Sequence, residues 1–167
     1  MSTASQLRVT LLFSGILTIG GVALILFGIS FLKDANASKN WPIAPGQVQS
    51  TRPVRSSSNR KYNPTYHYAV TYRYEVEGRS FTNDRYSLGD GPTASKRFQN
   101  QGEAIAAARK DYPVGQAINI YYNPTEPSSS VIKPGVGFGT LVPLVMGCLF
   151  LPSGIGLLLI SMQRSVN

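Results

Sequence analysis

Few residues of this 167-residue chain are of types that do chemistry. His67 is its one histidine and Cys148 its one cysteine, which together cannot make a His/Cys zinc site. A Ser-His-Asp relay would have to pass through His67, and no Gly-x-Ser-x-Gly nucleophile turn is present. A solvated strand position is the plainer reading of that histidine. Asp84 and Asp90 flank a glycine-containing loop, but the dense oxygen-ligand spacing of a calcium loop is missing. Gly135-x-Gly137-x-Gly139 follows no strand-turn-helix unit, so it leads into an apolar segment and is not read as a phosphate cradle. No catalytic residue, cofactor or metal is therefore expected, and an enzyme is the least favoured class.

Charge is the next resource. The formal net charge is +8, and the charges are confined: 14 of the 16 Lys and Arg and all eight acidic residues fall between Lys33 and Lys133. Arg52, Arg55, Arg60 and Lys61 cluster near one predicted hairpin, and Lys96, Arg97, Arg109 and Lys110 near a predicted helix. On a domain held close to a bilayer such clusters favour anionic head groups. A generic solubilising surface is the equal alternative.

The ends are apolar. Val9–Leu32 holds 24 uncharged residues, about 36 Å of helix against a hydrocarbon core of roughly 30 Å. The run is too long for a typical signal-peptide core, and no small-x-small site is well placed just after it. Val136–Met162 is also uncharged, and Cys148 within it reads as a small packing residue. The expected plan is a tail (1–8), a first span (9–32), a connector (33–45), a β domain (46–133), a second span (134–162) and a tail (163–167). Both tails then share one side of the membrane. Arg8 and Arg164 favour tails inside and the β domain outside, while Lys33, Lys39 and Lys133 pull the other way.

Small residues recur every seven positions in both spans: Ser14, Gly21 and Gly28 in the first, and Thr140, Gly147, Gly154 and Ser161 in the second. Membrane helices associate through close backbone approach, which small side chains permit, and a seven-residue period keeps one seam on one face. The two rows predict an antiparallel hairpin of spans; a seam facing another protein is the alternative.

Between the spans, a row of alternate residues from Tyr66 to Val76 carries four tyrosines and two valines, and the opposite row carries Arg73, Glu75 and Glu77. A stacking platform for nucleic acid would want basic residues among the rings on the same face. The tyrosine face is therefore expected in the core, with hydroxyls reaching the rim or backbone carbonyls, and nucleic acid is not an expected partner. Other strands are expected at Gln47–Arg55, Arg79–Ser87, Ala117–Tyr122 and Ser129–Ile132, with a tight turn at Glu77-Gly78. Asn100 with Glu103 predicts the start of a short helix through Tyr112. Trp41 stands near the first span, either at the membrane interface or packed on the domain. The fold class is α+β: two transmembrane helices flanking a small, mostly antiparallel sheet or partly open barrel with one short helix.

Trp41 with Gly46-Gln47-Val48, then Tyr72 to Gly78 with Phe81, then Tyr112-Pro113-Val114-Gly115-Gln116 and Tyr121-Tyr122-Asn123-Pro124 with Pro127 resemble the family called domain of unknown function 3592. The resemblance implies a bacterial envelope setting, in the inner membrane, and a small β domain between two helices. It implies no activity and no catalytic residues.

Two functional classes follow. One is a non-enzymatic accessory or interaction subunit, docking through its spans and β domain to another membrane protein or to a second copy. The other is a membrane-tethered sensor or binding domain for a small envelope ligand or anionic lipid head groups. Trp41, Arg52, Arg55, Arg60 and Lys61 are the residues expected to meet lipid or partner.

Overall fold

The computed structural model describes residues 3–56, 64–93 and 96–166. In chain order the elements are α1 (Thr3–Ala37), β1 (Ile43–Arg55), β2 (Tyr66–Val76), β3 (Arg79–Asn83), α2 (Gln101–Asp111), β4 (Ala117–Asn123), β5 (Glu126–Val131) and α3 (Phe138–Val166). They form two compact units. One is helical and holds the residues up to Lys33 and from Thr140 onward; the other runs from Asp34 to Gly139.

The helical unit follows from composition. Only 11% of the most apolar window of α1 and 17% of that of α3 are buried, so neither is the core helix of a soluble protein by its packing. Both are long and apolar enough to cross a membrane. α1 starts before and ends beyond the expected 9–32, and it takes up the first part of the expected connector. Nothing from Lys33 to Ala37 breaks a helix, and Ala35 is buried. The stop comes from a 3₁₀ turn at Ser38–Asn40 and from Trp41, which is extended (φ −66°, ψ 143°) because Pro42 follows it.

In the second unit all strand pairs are antiparallel, in the order β3-β2-β1-β4-β5. The sheet nearly closes. Asn83 of β3 donates from Nδ2 to the Ser128 carbonyl of β5 at 3.2 Å, a side-chain bridge where a full barrel would have a ladder. The alternation of β2 sets its inner face: Tyr68, Val70, Tyr72, Tyr74 and Val76 are buried, while Arg73 and Glu75 are exposed. The row of rings is thus a core and not a stacking platform. Its hydroxyls are satisfied: Tyr72 donates to the Arg85 carbonyl at 3.0 Å, and Tyr74 to the Pro127 carbonyl at 2.6 Å. Tyr72 and Tyr74 pack with Ala44, Val76 and Ile120, whereas Tyr68 and Val70 pack with Val48 and Ala108 of α2.

Several elements differ from their expected bounds. β1 begins at Ile43 and not Gln47, because Ile43 and Ala44 pair with Tyr121 and Ile120 of β4. Its pattern is weak because the register shifts between Val48 and Ser50. Val48 faces Tyr72 before the bulge and Thr51 faces Val70 after it, so the inward positions change from even to odd. Pro53 lies on the part of β1 that pairs with β2 alone, where its missing N–H costs no ladder bond on the free side. β3 stops at Asn83 and does not reach Ser87, because the Asn83 side chain accepts from the Asp84 and Arg85 amides and turns the chain. β5 starts at Glu126, earlier than Ser129, and ends at Val131. α2 begins where Asn100 accepts from the Glu103 amide at 2.8 Å. Glu77 (φ 51°) and Gly78 (φ 76°) make the two-residue turn between β2 and β3.

Candidate functional site

The helical unit is built on its small residues. Ser14, Gly21 and Gly28 are buried on α1, and Thr140, Gly147, Gly154 and Ser161 on α3. A Cβ added at Gly28 would lie 2.7 Å from the Leu144 amide nitrogen, and one at Gly21 2.6 Å from that of Leu151. At Gly147 it would lie 2.9 Å from the Gly21 carbonyl oxygen, and at Gly154 3.0 Å from that of Ser14. Ascending numbers on α1 meet descending numbers on α3, so the helices run antiparallel with backbones nearly touching. The hydroxyls along the row bond to their own helix, Ser14 to the Leu11 carbonyl at 2.9 Å and Thr18 to the Ser14 carbonyl at 2.8 Å. They cost little in an apolar setting. This seam packs; it does no chemistry. Outward, the helices present large apolar side chains such as Leu12, Ile16 and Ile19 on α1 and Val145 and Leu149 on α3.

The β domain carries a different arrangement. Tyr68 of β2, Asp111 and Tyr112 at the end of α2, Lys96 before α2, Tyr86 after β3 and Lys133 after β5 line a recess of about 420 Å³. One carboxylate oxygen organises it. Asp111 Oδ2 accepts from the Tyr68 hydroxyl at 2.8 Å and from Lys96 Nζ at 3.1 Å. Those two hydrogen bonds, Tyr68 first, hold the Asp111 carboxyl below its ordinary range. Burial, and after it the bond to Asp111, raises the Tyr68 phenol well above its ordinary value. Burial, and after it Tyr86, does the same for Tyr112. The Tyr86 ring stands edge-on to that of Tyr112 at 6.3 Å, and Tyr68 is 6.2 Å from Tyr112. The Lys133 amide donates to the Tyr86 carbonyl at 2.8 Å, which fixes that wall.

The expected contact residues that are described, Trp41, Arg52 and Arg55, do not line either place. Trp41 is half-buried and Arg55 exposed. Arg52 reaches Asp84 at 3.7 Å with both side chains largely in solvent. Arg60 and Lys61 lie outside the described residues. Cys148, read as a packing residue, is exposed. Asp90 is engaged in its own turn, accepting from the Ser87 hydroxyl at 2.9 Å. The glycines around the start of α3 serve close approach. Gly139 packs on the Gly89 carbonyl, and a Cβ at Gly137 would lie 3.0 Å from Asp90 Oδ2. Gly135 has φ 102°, and its amide donates to the Ser38 hydroxyl at 2.8 Å. Among the described residues no group of three or more His, Cys, Asp or Glu side chains gathers to hold a metal ion.

Sequence reasoning missed the recess. Tyr68 reads as core, Lys96 as one of a basic cluster and Lys133 as a span-flanking charge. No local spacing joins them, because their meeting depends on five segments converging.

The family model described as Domain of unknown function (DUF3592) matches residues 44–137, the β domain with the approach to α3. No curated protein matches the chain.

Proposed function

Since this chain belongs to the DUF3592 family, whose description names a domain and no activity, we propose that it is a non-enzymatic membrane protein acting as an accessory or interaction subunit. The setting we infer is a bacterial inner membrane, with the β domain on the outer side. The observation that carries the reading is the division of labour between the two faces of the helices. Their small-residue faces are consumed by each other, which makes the pair a self-contained anchor. Their large apolar faces remain for lipid, for another membrane protein or for a second copy. A partner therefore engages those faces and the β domain, not the glycine seam.

The test uses the intact chain in mild detergent and in nanodiscs. Co-purification reports a different protein. Cys148 is the one cysteine and is exposed on α3, so thiol cross-linking in the membrane reports a second copy. A chain that remains monomeric, uncross-linked and without companions would overturn the reading. Reporters fused at Ser2, Ser57 and Asn167 test the topology. The ends should share one side and Ser57 take the other, and matching signals at all three would sink the two-span arrangement.

A further inference from the structure

We propose that the recess between β2 and the end of α2 binds a phosphate ester, its phosphoryl oxygens held by the ammonium groups of Lys96 and Lys133 and its organic part set against the Tyr86 and Tyr112 rings.

Charge selects the ligand sign. Two lysines and one carboxylate line the recess. The carboxylate is already committed, since Oδ2 of Asp111 takes both the Tyr68 hydroxyl and the Lys96 ammonium. Among the described residues the ion pairs are Arg52–Asp84 and Lys96–Asp111, which leaves the Lys133 ammonium without a carboxylate. An incoming anion thus meets one uncommitted cation and one that is half-shared. The phenols add no opposing charge, because a tyrosine hydroxyl is neutral through the physiological range. Three aromatic rings exceed what a bare inorganic ion would use, whereas an ester offers an organic part to lie against them. The volume, about 420 Å³, falls within that of small-ligand sites. The same chemistry would take a phosphate borne on lipid or a free one.

The site stands independently of any protein partner, and its test does not use co-purification. The full chain in phosphatidylcholine nanodiscs is titrated with glycerol 3-phosphate by calorimetry. Saturable binding is expected. Lys133→Gln should weaken it by on the order of tenfold, the loss of one charge-assisted contact. Lys96→Gln should weaken it too, while leaving the Tyr68–Asp111 bond in place. Asp111→Asn should tighten it severalfold, because Lys96 is released to the ligand, even as the melting temperature falls. A purely structural Asp111 would not tighten anything. Nanodiscs containing phosphatidylglycerol separate the sources. If lipid is the natural ligand, they lower the apparent affinity for the free probe in the wild type but not in Lys133→Gln. If the natural ligand is free, they leave it unchanged and the site stands. Absence of saturable binding in the phosphatidylcholine nanodiscs, or equal affinity there in the wild type, Lys133→Gln and Lys96→Gln, would overturn the proposal.

Discussion

The Tyr68 hydroxyl donates to Asp111 Oδ2 across 2.8 Å, tying the first part of β2 to the last residue of α2. This bond joins positions 43 residues apart in sequence. It also closes the floor of the recess, so its removal should be felt in stability before it is felt elsewhere. Tyr68→Phe keeps the ring in its cluster with Val48 and Val70 and deletes only the hydroxyl. The expected loss is about 1–2 kcal/mol, since Asp111 keeps Lys96 and some access to water. Tyr72→Ala should cost more, about 3–5 kcal/mol, because it empties a fully buried ring position. Unfolding of the intact chain in detergent, followed through Trp41, the one tryptophan, measures both. A loss under about 0.5 kcal/mol at Tyr72, far below aromatic core truncations, would contradict a core role.

The β domain should lose stability in alkali. Burial raises the phenols of Tyr68, Tyr72 and Tyr112 in the folded state. Unfolded phenols ionise near pH ~10, so above that pH the unfolded chain releases protons that the folded chain retains. The stabilisation is complete below about pH 10 and is lost as pH climbs toward the folded values. Asp111 acts at the other end. Its folded value is lowered, so its contribution is present above the ordinary carboxylate range and lost as pH falls through the folded value. Melting temperature against pH should therefore decline in alkali, and Tyr112→Phe should make that decline shallower. An unchanged profile in the variant would reject the assignment.

Glycines on the two faces of α1 should behave oppositely. Gly21→Leu cannot be accommodated, since even a Cβ would meet the Leu151 backbone at 2.6 Å. The spans should separate, read as lost energy transfer between labels at the two helix ends. Gly20→Ala, one position along, meets nothing within 4 Å and should leave the transfer unchanged. Equal behaviour of the two variants would remove the packing role of the row.

One substitution should stabilise. Gly102 sits in the first turn of α2, and an added Cβ would come no closer than 3.4 Å, to the Asn100 side-chain oxygen. Gly102→Ala should raise stability by about 0.4–1 kcal/mol, by narrowing the unfolded ensemble and by better helix propensity. A fall in melting temperature would show that the cap at Asn100 cannot tolerate the methyl group.

Periodicity explains what the sequence by itself determined. An uncharged run of 24 residues can be satisfied only as a helix in an apolar medium, so α1 was legible at Val9–Leu32 from composition. Alternation between Tyr66 and Val76 names the inner face of β2 without any partner, because side chains of a strand must point to opposite sides. The cap at Asn100 and the turn at Glu77-Gly78 are likewise local. The spacing of Ser14, Gly21 and Gly28 places them on one face of α1; that this face meets α3 was decided in three dimensions. Long-range pairing settled the rest. Ile43 is strand because Tyr121 lies opposite, the inward face of β1 changes at a bulge, and Asn83 bridges β3 to β5. The Tyr68–Asp111–Lys96 junction lies on three separate segments, each unremarkable alone. Its geometry depends on how the sheet curls until β3 approaches β5 and on where α2 comes to rest, and those outcomes belong to the packing of the whole core and not to any window of the chain.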